Sequence, residues 1–463
     1  MTNQLTKLLQ QEKNVQDAAG LWKKKAGPIQ LTGLTGSVKA GFLCALEETL
    51  QPARPLVILT VNRESIRAQR RELAYFYPDL AMRELYPASL IHGQVDTRNE
   101  QIMAERAAAL EMIVRKELGI IFATAEAAIQ KLPAPESLVR ENLKLAVGQE
   151  IGQDLVVEKL VKAGYERTEQ VDTLGQVAVR GDILDVFPIN GKDPVRIEWF
   201  DNTIDAMKHF NLDTQRSIGA IKQVGIMPLA VQSQEVGASL FQYLSPDQLA
   251  VLDEPAAFFE ECRKSFGDNR EFADQLLEAE TMLRQAGECH LVTVSDLGHP
   301  YFPEAPKLHV QVRAMAPYNK NTDLLQKDLK GWLDQGVHPL IMMGTRDKAA
   351  GLAESLKGAG LPMAFAGQLQ EVPDQGGLVF QGSLTNGFYF WDEKWLLLTE
   401  SDIFGMQKKR RLVKSKGKGP ALNYFSDIKV GDYVVHDVQG IGRYMGVETI
   451  EVNGVHRDYL QLQ

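Results

Sequence analysis

The chain has 463 residues, a formal net charge of −9 and 24% charged residues, a composition typical of a globular protein of about three domains. The excess of acid excludes a protein that coats nucleic acid with its whole surface, so any DNA contact must be local. The three cysteines, Cys44, Cys262 and Cys289, are far apart. Their number and spacing exclude a disulfide framework and a C-x-x-C metal site, and favour the reducing cytoplasm.

The sequence has no feature of export, of membrane insertion or of a catalytic centre. Residues 1–27 are polar and charged, and no stretch approaches the ~18 apolar residues of a membrane span. The eight histidines are dispersed, with no Cys, Asp or Glu at ligand spacing around them. No Ser, Cys or Lys lies in a nucleophile motif. We therefore predict a cytoplasmic chain without a metal site, a catalytic residue or a membrane partner.

Residues 33–40, GLTGSVKA, resemble a phosphate-binding loop that has lost two essential positions. A working loop follows G-x-x-x-x-G-K-S/T, but Val38 replaces its second glycine and Ala40 replaces the hydroxyl residue that binds Mg²⁺. Apolar residues at 29–32 predict a strand before the loop, and residues 41–46 predict a helix after it. We interpret Gly33, Gly36 and Lys39 as a degenerate ATP site. A glycine-rich turn without any nucleotide ancestry is the alternative.

The segments that follow predict a parallel α/β layer interrupted by a different domain. Strand-like runs at 56–60 and 119–124 flank a helical pattern at 64–75, which is the alternation of a parallel sheet. After the Pro-rich break at 132–135, the pattern changes to an α+β domain over residues 133–210. That domain is predicted to contain a helix at 153–162 and strands at 176–187 and 196–200. Residues 211–305 return to mixed α/β sequence, with a helix predicted at 271–285.

The last third of the chain contains a second α/β region, a basic segment and a β module. Residues 306–404 predict two helices at 323–335 and 348–358, and strands at 339–344, 377–380 and 395–399. Residues 408–418 carry seven basic residues and no acid, which indicates a solvated linker or a contact with DNA phosphates. Residues 430–460 predict short strands separated by glycine turns, as in a small barrel. The open edge left after the third strand suggests that the chain is a fragment.

Three of these segments together resemble the N-terminal half of the bacterial transcription-repair coupling factor family, Mfd, whose first domains are similar to the excision-repair protein UvrB. The degenerate loop is similar to the UvrB phosphate loop. Residues 177–188, VAVRGDILDVFP, with RIEWFD at 196–201, closely resemble the UvrB domain that docks UvrA. Residues 430–460 resemble the RNA-polymerase-interacting module shared with CarD-type regulators. The sequence has no second phosphate loop and no DEAD-type carboxylate box, so we expect the family's ATP-dependent motor to be missing from this chain.

The resemblance implies an α/β multidomain fold with a small CarD/Tudor-like β-barrel begun at its end. The expected organisation is an N-terminal extension (1–27), UvrB-like domain 1a with the degenerate loop (28–132), an inserted UvrA-binding domain 2 (133–210), UvrB-like domain 1b (211–305), an α/β domain 3 of unknown role (306–404), a basic linker (405–425) and a truncated RNA-polymerase-interacting module (426–463).

Binding residues follow from the strand pattern and from the resemblance. Strand alternation sends Arg180 away from Val177 and Val179, toward a partner or toward a local salt bridge with Asp182 or Asp185. An arginine at a partner surface offers a planar fork for a carboxylate. The resemblance adds Arg167 as a second residue toward UvrA, whereas Ala178 stands where UvrB has another arginine.

In the terminal module, Thr449, Ile450 and Glu451 are nominated for RNA polymerase, in a strand that could pair with one of the partner's strands. A place in the core of the small barrel is the equally open alternative for Ile450.

The resulting prediction is a docking region that recruits UvrA to stalled RNA polymerase, bound through its beta subunit, in transcription-coupled nucleotide excision repair. No cofactor is expected in this chain, because the resemblance assigns ATP and Mg²⁺, and most DNA contact, to the motor of the full-length protein. The alternatives are a UvrB-like ATP-dependent enzyme that binds damaged DNA and a CarD-type transcription regulator. The stretch at 85–93 is short where UvrB carries an aromatic hairpin, so no damage recognition is expected.

Overall fold

The computed structural model describes residues 3–24, 27–52, 54–88, 90–91, 94–95, 100–228, 236–390, 393–405, 431, 433–436, 440–452 and 455–462. The chain divides into two compact units, residues 1–407 and 408–463. The basic segment at 408–418 lies outside the described residues. Among the helices that the structure describes, none is long and apolar enough to cross a bilayer.

The first unit begins with a seven-stranded parallel sheet in the order β19-β1-β18-β17-β2-β6-β3. Its strands are β1 (Ile29–Thr32), β2 (Leu56–Thr60), β3 (Met82–Leu85), β6 (Ile120–Thr124), β17 (Ala250–Asp253), β18 (Leu291–Ser295) and β19 (Lys307–His309). Four of them, β2, β6, β17 and β18, are buried along their whole length, as expected for a parallel sheet covered on both faces. The parallel α/β layer predicted from the sequence is therefore confirmed.

Helices and short ribbons surround this sheet. The helices are α1 (Gln4–Gln10), α2 (Lys13–Lys23), α3 (Ser37–Leu50), α4 (Arg63–Phe76), α5 (Glu100–Arg115), α6 (Ala125–Ala128), α7 (Pro135–Glu141), α9 (Pro255–Asp268) and α10 (Ala279–Glu288), with 3-10 turns at Leu240–Tyr243 and Arg270–Gln275. The two-stranded ribbons pair β4 (Leu90–Ile91) with β5 (Gln94–Val95), β7 (Leu132–Pro133) with β16 (Val236–Ala238), and β8 (Leu143–Ala146) with β15 (Gln223–Ile226). The last ribbon contains the strands just before and just after the inserted sheet.

The inserted sheet has six strands in the order β14-β13-β12-β11-β10-β9. They are β9 (Glu166–Arg167), β10 (Gln176–Arg180), β11 (Ile183–Val186), β12 (Val195–Phe200), β13 (Thr203–Phe210) and β14 (Ser217–Ala220). All neighbours are antiparallel except β9 and β10. Helix α8 (Gln153–Lys162) has the bounds predicted from the sequence and buries Val156, Val157 and Leu160 in the same core as one face of the sheet.

A third sheet in the first unit has the order β20-β24-β25-β21-β23-β22. Its strands are β20 (Val312–Ala314), β21 (His338–Met343), β22 (Met363–Ala366), β23 (Gly377–Gln381), β24 (Phe388–Phe390) and β25 (Trp395–Thr399), and its helices are α11 (Thr322–Asp334), α12 (Arg346–Gly358) and α13 (Glu400–Phe404). The elements predicted between residues 323 and 399 are confirmed, with helix starts one or two residues earlier.

The second unit contains three antiparallel strands in the order β26-β27-β28. They are β26 (Tyr433–His436), β27 (Gly440–Val452) and β28 (Val455–Leu462). The sequence predicted the short strand runs, but β27 continues for 13 residues through the nominated 449–451 segment.

The apolar core of the first sheet continues into the third sheet. One buried cluster contains Leu31 and Phe42 from the first sheet layer together with Leu340, Phe380 and Phe388 from the third. Two packed layers that share one core behave as one body, because separating them exposes apolar surface at about 25 cal/mol per Å². A different cluster joins the other face of the first sheet to the inserted sheet, including Leu184 and Ile197.

Two segments differ from the sequence-based expectation. The extension at 1–27 forms α1 and α2, whose Leu5, Leu9 and Trp22 are buried in the core of the first sheet. The helix predicted at 271–285 is wrong in its first half. Leu276 is extended instead, and the Leu277 N–H donates to the Ile129 carbonyl at 2.7 Å. Burial of these leucines overrides the local helix pattern.

The carboxyl of Glu47 makes the stability of the first unit depend on pH. Burial raises the pKa of Glu47 from 4.5 to about 7, and its Oε2 atom is buried without a hydrogen-bond partner among the described residues. Folding therefore takes up a proton between pH 4.5 and about 7, and stability falls as pH rises through that window.

We expect Glu47→Gln to stabilise the chain by about 1–2 kcal/mol at pH 8 and to change little at pH 5, because the amide carries no charge that must be desolvated. Urea unfolding at both pH values measures the difference. Equal effects at pH 5 and pH 8 would contradict the raised pKa.

Candidate functional site

The inserted sheet has one face that packs in the main core, the covered face, and a second, partly exposed face, here called the open face. Val177, Leu184 and Ile197 lie on the covered face, packed in the core with α8. The register pairs Ala178 with Asp185 and Asp185 with Arg196, and pairs Arg180 with Ile183. Because paired residues share a face, these side chains lie on the open face. That face is exposed at Arg180 and Ile183 but buried at Ala178 and Asp185. The alternation predicted for Arg180 therefore agrees with the pairing.

A buried ion pair supports the centre of the open face. Arg196 Nε and Nη2 donate to the two carboxylate oxygens of Asp185 at 2.7 and 2.8 Å, and its guanidinium lies 4.7 Å from the ring centroid of Phe210. Asp185 is 3% exposed. The hydrogen bond to Asp185 raises the pKa of Arg196 above its usual value. Asp185 is thus held by Arg196, rather than by Arg180 as one sequence-based alternative proposed.

Arg180 ends β10 at the tip of a tight hairpin. The turn contains Gly181 at φ +58°, a left-handed conformation that glycine adopts without strain. The Arg180 side chain is exposed, and its Nη2 donates to the Glu169 carbonyl at 3.1 Å. Among the described residues no ion pair joins Arg180 to Asp182. The guanidinium therefore retains donors that can reach a partner.

Arg167 lies in β9, the edge strand next to β10, and is exposed. Its pairing with Val177 assigns Arg167 to the covered face of the sheet and not to the face of Arg180. The structure therefore brings the two predicted arginines to the same edge of the sheet without placing them on one face. Ala178 is 1% exposed and packs with Val171 and Phe187, so the position where UvrB has an arginine serves packing here.

The degenerate loop lies between β1 and α3, as predicted. Gly33 has φ +85° and Gly36 has φ +59°. A Cβ on Gly33 would lie 2.5 Å from the Val310 carbonyl oxygen, so only glycine fits. Val38 and Ala40 are 2% and 5% exposed and belong to the core. The two substitutions that remove the phosphate site therefore contribute to packing.

Lys39 is paired with acids that the sequence analysis missed. Its Nζ lies 2.6 Å from Asp253 Oδ1 and 3.5 Å from Glu254 Oε1. Gln69 Nε2 and Thr60 Oγ1 also donate to Asp253, at 2.5 and 3.4 Å. Asp253 ends the buried strand β17 and Glu254 follows it, at the edge of the sheet where the loop lies. An apolar strand that ends in two acidic residues was the sequence pattern from which these partners of Lys39 could have been predicted.

This arrangement retains parts of a nucleotide site but not its metal and phosphate ligands. The lysine and an acid at the end of a neighbouring strand correspond in kind to the P-loop lysine and the Mg²⁺-binding carboxylate of NTPases. The hydroxyl residue that also binds Mg²⁺ is absent at Ala40, and the glycine that lets the backbone close on phosphate is absent at Val38. Lys39 and Asp253 instead neutralise each other.

The terminal module places the nominated residues in the second half of β27. Thr449, Ile450 and Glu451 pair with Asp458, Arg457 and His456 of β28. On the other side, β26 pairs only with residues 440–443. Among the described residues, the strand therefore has no backbone partner on that side at 449–451. Within the described part of the chain, no group of three or more His, Cys, Asp or Glu is placed to hold a metal.

We expect Lys39→Met to lower the free energy of unfolding by about 2–4 kcal/mol, because it leaves the charge of Asp253 buried without its cation. The double variant Lys39→Met/Asp253→Leu should recover most of that loss. Urea unfolding measures both, and Lys162→Met, which breaks an exposed pair with Glu158, is the control expected to have little effect. A harmless Lys39→Met would contradict the structural role.

Two family models match this chain. Residues 143–231 match the UvrB interaction domain, and residues 428–463 match the CarD-like/TRCF RID domain. The first match contains the whole inserted sheet with Arg167 and Arg180, and the second contains β26, β27 and β28. Both domains predicted by resemblance are thus matched independently.

Curated relatives extend the similarity to nearly the full chain. The transcription-repair-coupling factor of Bacillus subtilis is 24% identical over 508 residues, which cover 93% of this chain and 43% of the relative. That of Staphylococcus aureus strain MRSA252 is 23% identical over 539 residues, which cover 99% of this chain and 45% of the relative. The chain therefore spans less than half the length of the curated relatives it matches.

Solved structures include a hypothetical ATP-dependent RNA helicase from Sulfolobus tokodaii, 10% identical, covering 80% of this chain and 77% of that one, with a TM-score of 0.25. That score is too low to support a conclusion about this fold. The two family models and the curated relatives confirm the resemblance of this chain to the N-terminal region of the transcription-repair coupling factors.

Proposed function

We propose that this chain is the docking region of a transcription-repair coupling factor, which recruits UvrA to sites where RNA polymerase has stalled. The observation that carries the proposal is the open face of the inserted sheet, with Arg180 exposed at its edge, inside the segment that matches the UvrB interaction domain. The second docking element is the terminal module, which matches the CarD-like/TRCF RID domain. The chemistry of this region is recognition rather than catalysis.

The open face combines a cation with exposed apolar groups. Ile183, opposite Arg180 in the hairpin, is 37% exposed, and Phe200 at the end of β12 is 78% exposed. Glu198, which is paired with Ile183 in the sheet, forms an ion pair through its Oε1 with Lys208 Nζ at 2.8 Å. A few residues carry most of the binding energy of a protein interface, and arginine and aromatic residues are enriched at such interfaces. Arg180, with Phe200 as an apolar anchor, is therefore the expected centre of contact with UvrA, and Arg167 extends the contact around the β9 edge.

The open face is supported by a buried ion pair and by the core, and such a rigid surface favours rapid and specific docking. The open side is held by the Asp185–Arg196 pair, and the covered side packs in the core with α8. A preformed surface orders few side chains on binding and so loses little conformational entropy. The same geometry argues against a deep catalytic cleft at this position.

The terminal module is proposed to bind RNA polymerase, through its beta subunit, by strand addition at residues 449–451 of β27. A strand without a backbone partner on one side offers N–H and C=O groups to a strand of another protein. The motor that moves DNA, with its ATP and Mg²⁺, belongs in this proposal to the rest of the full-length protein. DNA contact by this chain is proposed only for the basic segment at 408–418.

A UvrB-like nucleotide-dependent enzyme is the second candidate, because Lys39, Asp253 and Glu254 lie together at the degenerate loop. It requires saturable binding of Mg-ATP that depends on Lys39. The docking proposal requires none at this loop.

We expect Arg180→Ala to weaken UvrA binding at least tenfold, because the guanidinium is exposed and its loss removes a planar donor fork from the interface. Arg180→Lys should weaken it less, since the charge remains. Calorimetry at moderate salt gives the affinities. The matched control is Arg216→Ala, an exposed arginine next to β14 at the opposite edge of the same sheet, which should bind as the wild type does.

Equal weakening by Arg180→Ala and Arg216→Ala would mean that only net charge matters and would contradict a docking site centred on Arg180. If the wild-type chain does not bind UvrA, titration of the inserted domain, residues 133–210, decides between a covered surface and a wrong proposal. Binding by that domain alone would indicate the covered surface.

We expect Ile450→Ala to weaken binding of RNA polymerase while leaving UvrA binding unchanged, because the proposed contacts lie in separate modules. Arg180→Ala should have the reverse pattern. Pull-down of each partner by each variant measures the four combinations. Loss of both partners in either variant would point to a general folding defect and contradict two separate docking elements.

A further inference from the structure

The mouth of the degenerate phosphate loop is occupied by a loop from the third sheet. Residues 382–387, here called the stopper loop, connect β23 to β24 and lie against α3 and α4. The Asn386 N–H donates to Ser37 Oγ at 2.8 Å, and Asn386 Oδ1 lies 3.2 Å from the position of a Cβ on Gly36. Gly36 and Ser37 are the residues that would face a bound phosphate, since backbone N–H groups of such a loop point at the ligand. The stopper loop takes that place.

A second contact holds the stopper loop to α4. The N–H of Thr385 donates to Glu72 Oε2 at 3.2 Å, and the Thr385 hydroxyl donates to Glu72 Oε1. Glu72 is 8% exposed, and both of its oxygens are therefore used inside the protein. Hydrogen bonds to a charged carboxylate are stronger than neutral ones and shorter. The contacts with Ser37 and Glu72 thus fix the stopper loop to both α3 and α4.

Apolar contacts leave the stopper loop little room to withdraw. Leu384 and Phe388 are 6% and 2% exposed and belong to the same core cluster as Val38. A Cβ on Gly382 would lie 2.8 Å from the ring of Tyr75. The loop is thus packed at both ends, and only a glycine permits the close approach at its first residue.

The electrostatics of the remaining cavity disfavour an anion. A cavity of about 340 Å³ lies between Lys39, Asp253, Glu254 and the stopper loop. The ammonium of Lys39 is already paired with Asp253 and Glu254. A phosphate entering this space would meet three carboxylates, counting Glu72, against two cations, of which Lys39 is engaged by Asp253 and Glu254 and Arg71 is exposed to solvent. Like charges within a few ångströms repel by several kcal/mol at low dielectric.

We propose that the stopper loop is an internal ligand of the degenerate phosphate loop: it takes the place of a nucleotide and holds the first and third sheets closed upon each other whether or not nucleotide is present. The proposal is independent of UvrA docking. It assigns to the third sheet, whose role the sequence left open, a function as the permanent lid of the old nucleotide cleft.

The test is amide hydrogen exchange on the chain with its stopper loop released. The double variant Ser37→Ala/Glu72→Ala removes the two side chains, on α3 and α4, that accept hydrogen bonds from the stopper loop. We expect exchange at amides 34–39 and 384–387 to become at least tenfold faster, with amides of β12 unchanged as an internal measure of folding. The matched control is Glu64→Ala, an exposed residue on the same helix, which should leave both segments protected.

Titration of Mg-ATP completes the test. In the wild-type chain, 5 mM Mg-ATP, a concentration about fivefold above a weak Kd of 1 mM, should leave exchange at amides 34–39 unchanged. The proposal is overturned if Mg-ATP protects those amides in the wild type, or if the double variant exchanges like Glu64→Ala. Should the double variant unfold, Glu72→Gln replaces it, and an unchanged rate at 384–387 in that variant would equally overturn the proposal.

Discussion

The ion pair between Lys39 and Asp253 is the interaction on which the rest of the first unit depends. It lies where the carboxyl ends of parallel strands meet, a position that in α/β folds commonly holds a ligand. Here the two charges meet each other at 2.6 Å with Asp253 nearly buried. Because Lys39 is paired with Asp253, its positive charge is balanced without a bound phosphate. The loop can therefore carry Val38 and Ala40 in the core, and the neighbouring sheet can close over it.

The open face of the inserted sheet, in contrast, must remain accessible to a partner. An antiparallel sheet packed on one side leaves its other side for recognition without weakening the core. The Asp185–Arg196 pair, nearly buried and stacked on Phe210, holds the centre of that side, so Arg180 and Phe200 can stay exposed at its margins. The Lys39–Asp253 and Asp185–Arg196 pairs thus have different structural roles. One pair closes a former ligand site, and the other supports a surface that remains open.

How far the sequence predicts these features depends on the distance along the chain between the residues involved. Periodicity predicted α8 to the residue, whereas the strand predicted at 176–187 is divided by a turn at Gly181 into β10 and β11. The partner of Lys39 is 214 residues away, and Thr385 meets Glu72 across 313 residues. No local pattern encodes such pairs, because each partner has an ordinary role in its own segment. The break at Leu276 and Leu277 has the same cause, since the core that buries these leucines is built from distant strands.

The persistence of glycines in the degenerate loop has a physical explanation that does not involve nucleotide. Gly33 is required because any side chain would collide with the Val310 carbonyl, and Gly36 adopts a positive φ against Asn386. Lys39 is required because Asp253 is nearly buried beside it. Each residue that makes the segment resemble a phosphate loop is therefore maintained by packing or by charge balance within the protein. The glycines and the lysine of this loop are therefore explained by its backbone conformation and charge balance. Only Val38 and Ala40, which replace the residues that bind phosphate and Mg²⁺, indicate whether the loop binds nucleotide.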